Sequence, residues 1–302
     1  GLTAVIDAKR MIVSGDAAVV VAGGMESMSR APHLLMGSRE GWTYGSIEVL
    51  DHMAHDGLTD AADGVSMGLS TEQRNPGLGL TRREQDHVAA LSHQRAAAAA
   101  AAGVFDAEIV AVEVPQRKGD PLRITADEGI RPDTTVESLA GLRPAFSPDG
   151  DITAGNASPI SDGAAAVVVT TRARAEAEGW TILATIGAAG QVAGPDNSLH
   201  SQPSRAIAQA MERQGLAVSD LDLVEINEAF GAVVAQSQRE LGIDDGIVNI
   251  HGGGIAIGHP IGASGARLVV HAVHELARRG SGTAAVGLCG GGGQGEALIL
   301  TR

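Results

Sequence analysis

Asn249-Ile-His-Gly-Gly-Gly-Ile-Ala-Ile-Gly-His-Pro-Ile-Gly-Ala-Ser-Gly-Ala-Arg267 is the stretch on which the reading of this chain turns. It sets His259 between an apolar segment, read as a strand, and the start of a helix. Glycines at 252, 253, 254, 258, 262 and 265 put six within fourteen residues. Each costs about 0.5–1 kcal/mol relative to alanine inside a regular element, so such a density needs a cause. A ligand lying against bare backbone is the simplest one, and it makes this a site rather than a core.

Two other stretches look like partners. Leu223-Val-Glu-Ile-Asn-Glu-Ala-Phe230 reads as a buried strand ending at Asn227 and Glu228, and Ala285 to Leu300 carries Cys289 in front of Gly290 to Gly293. Asn-Glu-Ala-Phe, then Gly-His-Pro-x-Gly-x-Ser-Gly, then Cys-x-Gly-Gly-Gly, in that order, resembles the catalytic half of the thiolases, the acyl-CoA acetyltransferase family. Gly23-Gly-Met-Glu-Ser-Met-Ser29 matches the same family near the other end, so the likeness spans essentially the whole chain.

Composition limits the alternatives. The 302 residues suffice for two domains with a sizeable core, and 44% are hydrophobic although only three Phe, two Trp and one Tyr are present, so the core is aliphatic. A net charge of -14 argues against a nucleic-acid surface, which needs a concentrated basic face. Arg117, Lys118, Arg123, Arg131 and Arg143 form the one basic-leaning region available to an anionic ligand. The single cysteine excludes an internal disulfide framework and fits a reducing, cytoplasmic compartment. No apolar run approaches the roughly 20 residues of a membrane span. No pair of histidines has a metal-ligand context, so no metal is expected.

Taken in order, Gly1 to Val13 has helical apolar spacing and a stop at Ser14-Gly15; Ala17 to Ala22 reads as a strand covered on both faces, followed by a glycine turn over Gly23 to Ser27. Gly265 to Arg279, the run Ala284 to Leu288 and the glycines after Cys289 repeat that pattern. The two ends read as copies of one unit, which fits an α/β fold of two halves related by a pseudo-twofold. Between them, 32–153 changes to turns, short helices and scattered charge, with Thr81-Arg-Arg-Glu84 as a capping box ahead of an alanine-rich helix. This divides the chain into an inserted loop domain (32–153), the remainder of a first half (1–31 and 154–181) and a second half (182–302).

The resemblance implies a layered αβαβα thiolase fold whose first half is incomplete here, with the insert covering CoA. It also implies thiolysis of a 3-ketoacyl-CoA, or the reverse Claisen condensation, by a ping-pong route through a cysteine thioester. His259 would activate the nucleophile and contribute to a first oxyanion hole, with a water held by Asn227 as the other donor. Cys289 would be the base or acid at the α-carbon, and the Gly291 N–H would complete a second oxyanion hole. Asn227 could equally cap a helix beginning at Glu228, with Glu228 itself an orienting carboxylate; His251 reads as structural. Ser158 would meet the pantetheine arm, Arg131 and Ser138 the nucleotide end, and Ser66 stands where some members have a histidine beside the thioester. Asp196 to Arg205 also departs from the family pattern.

The family's nucleophile lies in Cys-x-Ser-Gly-Leu, whose last two residues match Gly1-Leu2. It is therefore expected just upstream of these residues, which begin without a methionine inside a running helix and read as a fragment. On that basis the 302 residues alone are expected to lack turnover, and a non-catalytic acyl-CoA-binding or scaffold role is the alternative. A ketoacyl synthase is disfavoured because Asn227 and Cys289 stand where that class uses histidines. CoA and acyl-CoA are the expected ligands, as substrates rather than tightly bound cofactors, and a homodimer or homotetramer is expected from the resemblance. Gly290 to Gly295 also satisfies Gly-x-Gly-x-x-Gly, but an apolar strand follows rather than a helix, which argues against a dinucleotide site.

Overall fold

The computed structural model describes residues 1–302. In chain order, α1 (Leu2–Ser14) leads into β1 (Val19–Ser27), and a small hairpin of β2 (His33–Leu35) and β3 (Val49–Asp51) follows. Helices α2 (Met67–Leu78) and α3 (Arg82–Ala101), the hairpin of β4 (Val112–Val114) and β5 (Leu122–Ile124), and α4 (Val136–Ala140) precede β6 (Asp162–Thr170) and α5 (Arg172–Ala177). The remainder is β7 (Thr185–Ala193), α6 (Gln202–Gln214), β8 (Leu223–Ile226), α7 (Gly231–Leu241), α8 (Gly254–Ile257), α9 (Ile261–Arg279), β9 (Thr283–Gly290) and β10 (Gln294–Thr301).

Local signals account for many of these boundaries. Gly15 closes α1 at φ 82, a left-handed conformation that costs glycine nothing. The Thr81 capping box is formed in full, its hydroxyl taking the Glu84 N–H and the Glu84 carboxylate taking the Thr81 N–H. Gly280 ends α9 at φ 83.

Four strands in the order β7-β10-β9-β8 make the larger sheet, with β8 and β9 parallel and the other pairs antiparallel. β1 and β6 make a second, antiparallel sheet. Helices α1 and α9 lie between the two sheets, where Leu2, Val5, Ile6, Leu268, Ala272 and Leu276 pack with Val286, Leu298 and Leu300. The opposite face of the larger sheet carries α3, α6 and α7 around Val88, Ile207, Val234, Val224 and Ile226. The starts of α1 and α9 are in backbone contact: a Cβ on Gly1 would lie 2.7 Å from the Ala266 nitrogen, and one on Gly265 would lie 2.5 Å from the Leu2 nitrogen.

Three local expectations are corrected. β1 does not turn at Gly23; it runs in register with β6 to Ser27. A Cβ on Gly24 would lie 2.0 Å from the Gly262 carbonyl oxygen, so the glycine serves a crossing between β1 and the start of α9, not a turn. Nor is β1 covered on both faces, since Val21 and Met25 are 72% and 67% exposed. Finally, the segment ahead of His259 is not a strand but the helical turn α8.

Candidate active site

The parallel register of β8 on β9 puts Ile226 beside Gly287, so Asn227, just past β8, and Cys289, near the end of β9, lie at the same carboxyl end of the two strands. Ligands in α/β proteins collect at that end of the strands. From the other side, α8 and the start of α9 present His259. Asn227 Nδ2 lies 3.2 Å from His259 Nε2. Asn227 is fully buried, and its Oδ1 has no protein partner. It does not cap a helix: α7 starts at Gly231, after Phe230, and so the alternative role for Asn227 falls away.

The protonation state of His259 follows from its neighbours. The Ser264 hydroxyl donates its one proton to the Pro260 carbonyl at 2.9 Å, so toward His259 Nδ1, 2.6 Å away, it accepts. Nδ1 therefore carries the hydrogen, and Nε2 offers a lone pair to the Asn227 amide. Burial, reinforced by the charge of Arg267, lowers the imidazole pKa to about 4. At neutral pH the ring is an uncharged base with its open nitrogen aimed at Asn227.

Cys289 is 9% exposed among Leu199, Val233, Met67 and Phe230. Burial pushes its thiol up to about 12, so it holds its proton at neutral pH. Such a thiol is a poor resting nucleophile and a strong base once ionised. Beyond it the turn Gly291 to Gly293 leads into β10. The Gly291 N–H has no acceptor in the protein, and the Met67 side chain lies against this glycine.

Glu228 is buried and acts on the loop that carries His259. Its carboxylate accepts from Ser92 Oγ at 2.6 Å, Asn249 Nδ2 at 2.9 Å and the Ile255 N–H at 3.0 Å. Burial raises its pKa, and these three donors oppose the rise. The first half reaches the same loop, with Ser161 Oγ accepting the His259 N–H at 3.2 Å. His251 hydrogen-bonds His271 at 3.1 Å, and His271 in turn meets Glu108 at 2.8 Å. That chain lies on the α9 side of the loop.

The other proposed contact residues are spread over the insert and its return. Ser66 is the N-cap of α2, immediately before Met67. The Ser158 hydroxyl donates to the Ala229 carbonyl at 3.1 Å, two residues from Asn227. Arg131 is exposed with no carboxylate partner; its N–H donates to His93 Nδ1 at 3.2 Å. Its neighbour Gly129 packs on the Ala256 carbonyl of α8. Ser138 is exposed and forms a capping box with Thr135. Thus Ser66 and Ser158 adjoin the Asn227–His259–Cys289 region through Met67 and Ala229, whereas Arg131 and Ser138 are exposed and hydrogen-bond none of those three side chains. Ser264, Ser92 and Asp60, which donates or accepts for none of the motif side chains directly, were not singled out from sequence. Only Ser264 had a signal, as the serine inside the Gly-x-Ser-Gly motif.

The thiolase N-terminal domain model matches residues 1–173, and the thiolase C-terminal domain model matches residues 180–302. The chain belongs to the thiolase family. It is 59% identical over 302 residues to a probable acetyl-CoA acetyltransferase of Mycolicibacterium smegmatis, covering all of this chain and 78% of that one. A probable acetyl-CoA acyltransferase of Staphylococcus epidermidis is 48% identical, with coverage of 100% and 76%. The crystal structure of human mitochondrial 3-ketoacyl-CoA thiolase superposes with a TM-score of 0.94 at 38% identity, covering 100% of this chain and 76% of the human one. The same human thiolase in complex with CoA matches with the same TM-score and identity.

Proposed function

We propose that this thiolase transfers acyl groups between CoA and 3-ketoacyl-CoA, and that His259, Asn227, Cys289 and the Gly291 N–H carry the chemistry. The carrying observation is the neutral His259, locked by Ser264 with Nε2 facing Asn227. That nitrogen is suited to take a proton from a thiol that attacks a thioester. Having taken it, Nε2 becomes a donor, and it can then stabilise the oxygen of the second thioester beside Asn227. Family resemblance assigns the attacking thiol to a cysteine ahead of Gly1, and the backbone contact between Gly1 and Gly262 to Ala266 supports it by bringing that end of α1 to the helix start next to His259.

In thiolysis the protonated Cys289 gives its hydrogen to the α-carbon as the carbon–carbon bond breaks, and the acyl group passes to the nucleophile. A CoA thiolate then attacks the acyl-enzyme and expels the nucleophile. In condensation the Cys289 thiolate removes the α-proton of an acyl-CoA, and the carbanion attacks the acyl-enzyme carbonyl. Ser158 and Ser66 support a pantetheine path into this centre, with Arg131 and Ser138 toward the nucleotide. A homo-oligomer in the cytoplasm remains part of this reading.

The test is Cys289→Ala in the full-length protein. It is expected to accept a labelled acetyl group from acetyl-CoA yet lose condensation. Condensation at the wild-type rate would contradict the role given to Cys289.

A further inference from the structure

Four consecutive glycines, Gly290 to Gly293, follow Cys289, and Gly292 and Gly293 sit at φ 74 and 66. The peptide unit joining Gly291 to Gly292 has no Cβ on either side, so nothing within the turn resists its rotation. Yet the Gly291 N–H next to it has a task that tolerates little misplacement, because an oxyanion donor works only when aimed at the oxygen that becomes charged. The restraint must come from outside the turn.

The structure supplies it at both ends of that one peptide. Its carbonyl, Gly291 O, accepts from Gln294 Nε2 at 2.9 Å, and its N–H, on Gly292, donates to Asp60 Oδ2 at 3.0 Å. Gln294 is exposed on the adjoining strand, whereas Asp60 is 5% exposed and comes from a different part of the chain. We propose that Asp60 is a positioning residue for acyl transfer: it locks the Gly291–Gly292 peptide and thereby aims the Gly291 N–H.

Asp60 is itself held firmly enough to do this. The loop from Thr59 to Ser66 is closed by a β-bridge, with the Asp60 N–H on the Val65 carbonyl and the Gly64 N–H on the Asp60 carbonyl, each at 2.9 Å. Its second carboxylate oxygen takes the Ala62 N–H at 2.8 Å. The Ala62 N–H foremost, with the Asn197 amide and the Gly292 N–H, outweighs burial and keeps the carboxyl below its ordinary pKa, so the acceptor is charged at neutral pH. An N–H held by a carboxylate is bound more strongly than one held by a neutral acceptor. The same loop ends in Met67, which packs on Gly291, and Asn197, tied to Asp63 at 2.7 Å and to Arg74, backs the turn from the other side. Apart from Gln294, the residues that hold the turn thus belong to the inserted segment and to the Asp196–Arg205 stretch, not to the strands that form it.

This inference rests on the acyl-transfer reading, and two half-reactions separate them. Acetyl transfer from acetyl-CoA to the enzyme uses the Gly291 N–H; exchange of α-protons for deuterium, followed on enzyme already charged with acetyl groups, uses Cys289, His259 and Asn227. In the full-length protein Asp60→Ala is expected to slow acetyl transfer by about a hundredfold, the loss typical of one oxyanion donor, while exchange stays within about threefold of wild type. Asp60→Asn, which keeps an acceptor oxygen, is expected to recover most of the transfer rate. Gln294→Ala, at an exposed position, should slow transfer as well, though less, and carries the test if Asp60→Ala does not fold. Wild-type transfer in Asp60→Ala, or in Gln294→Ala should the first variant not fold, overturns the proposal, as does a parallel fall of transfer and exchange in Asp60→Ala. A wild type that accepts no acetyl group overturns the acyl-transfer reading itself, and the role of Asp60 with it.

Discussion

The two ends of the chain share one plan, a helix followed by a strand that pairs antiparallel with another strand, and use glycine at the strand end for opposite purposes. In the first copy Gly23 and Gly24 lie inside β1, where bare backbone lets Ala165 and Ala166 of β6 close on Gly23 and the start of α9 cross Gly24 within contact distance. In the second copy the glycines come after Cys289, where two of them adopt left-handed conformations and turn the chain back into β10. One set thins a contact and the other makes a bend. The bend of the second copy leaves the Gly291 N–H without a protein acceptor two residues after Cys289, whereas the first copy uses its glycines in packing.

Three measurements would sharpen or break this comparison. Gly24→Ala should have the largest effect, because its Cβ would meet backbone, the Gly262 carbonyl at 2.0 Å, and not a movable side chain. A loss of about 3 kcal/mol in denaturant unfolding is expected, at the upper end of ordinary overpacking. A loss below about 0.5 kcal/mol would mean that the crossing has slack. Next comes acid sensitivity between pH 7 and pH 5, which should spare the first-half segments. His200 is wholly buried on Asn75, and burial, followed by the charge of Arg74, lowers its pKa to about 4. Below about pH 6.5 the unfolded chain binds a proton at this residue that the folded chain refuses until about pH 4, so stability falls as pH drops through that window. The stability advantage of wild type over His200→Gln should therefore shrink by about 2 kcal/mol between pH 7 and pH 5. The first-half segments contain no histidine, and no side-chain substitution there should reproduce the change. Smallest is Gly292→Ala, where no wall stands nearby but φ is 74; about 1 kcal/mol is expected from the left-handed conformation alone. Its acetyl-transfer rate should nonetheless fall by more than that of Gly24→Ala measured on folded protein, and the reverse order would erase the distinction between packing and turning glycines.

What could be read from the sequence was what neighbouring residues decide. The Thr81–Glu84 capping box, the left-handed Gly15 and Gly280 and the repeat of helix and strand at the two ends depend on adjacent chemistry, and each is present. The ordered motifs named Asn227 and His259, and these two side chains meet although 32 residues separate them. What escaped was decided by distant partners. β1 passes through two glycines because Ala165 and Ala166 crowd Gly23 and Gly262 lies across Gly24, and nothing near them in sequence announces those contacts. Asn227 looks like a helix cap until Phe230 is seen to fill that place. Asp60 meets Gly292 across 232 residues, through a loop whose own residues look like ordinary turn formers.

The start of α9 at Ile261, directly after His259 and Pro260, has an electrical consequence. A helix carries roughly half a positive charge at its amino end. A sulfur or oxygen that turns anionic there is favoured before any side chain moves, and an imidazolium next door is disfavoured for the same reason. The long helix α9 therefore builds a small standing potential into the backbone itself, one that no single side-chain substitution can switch off.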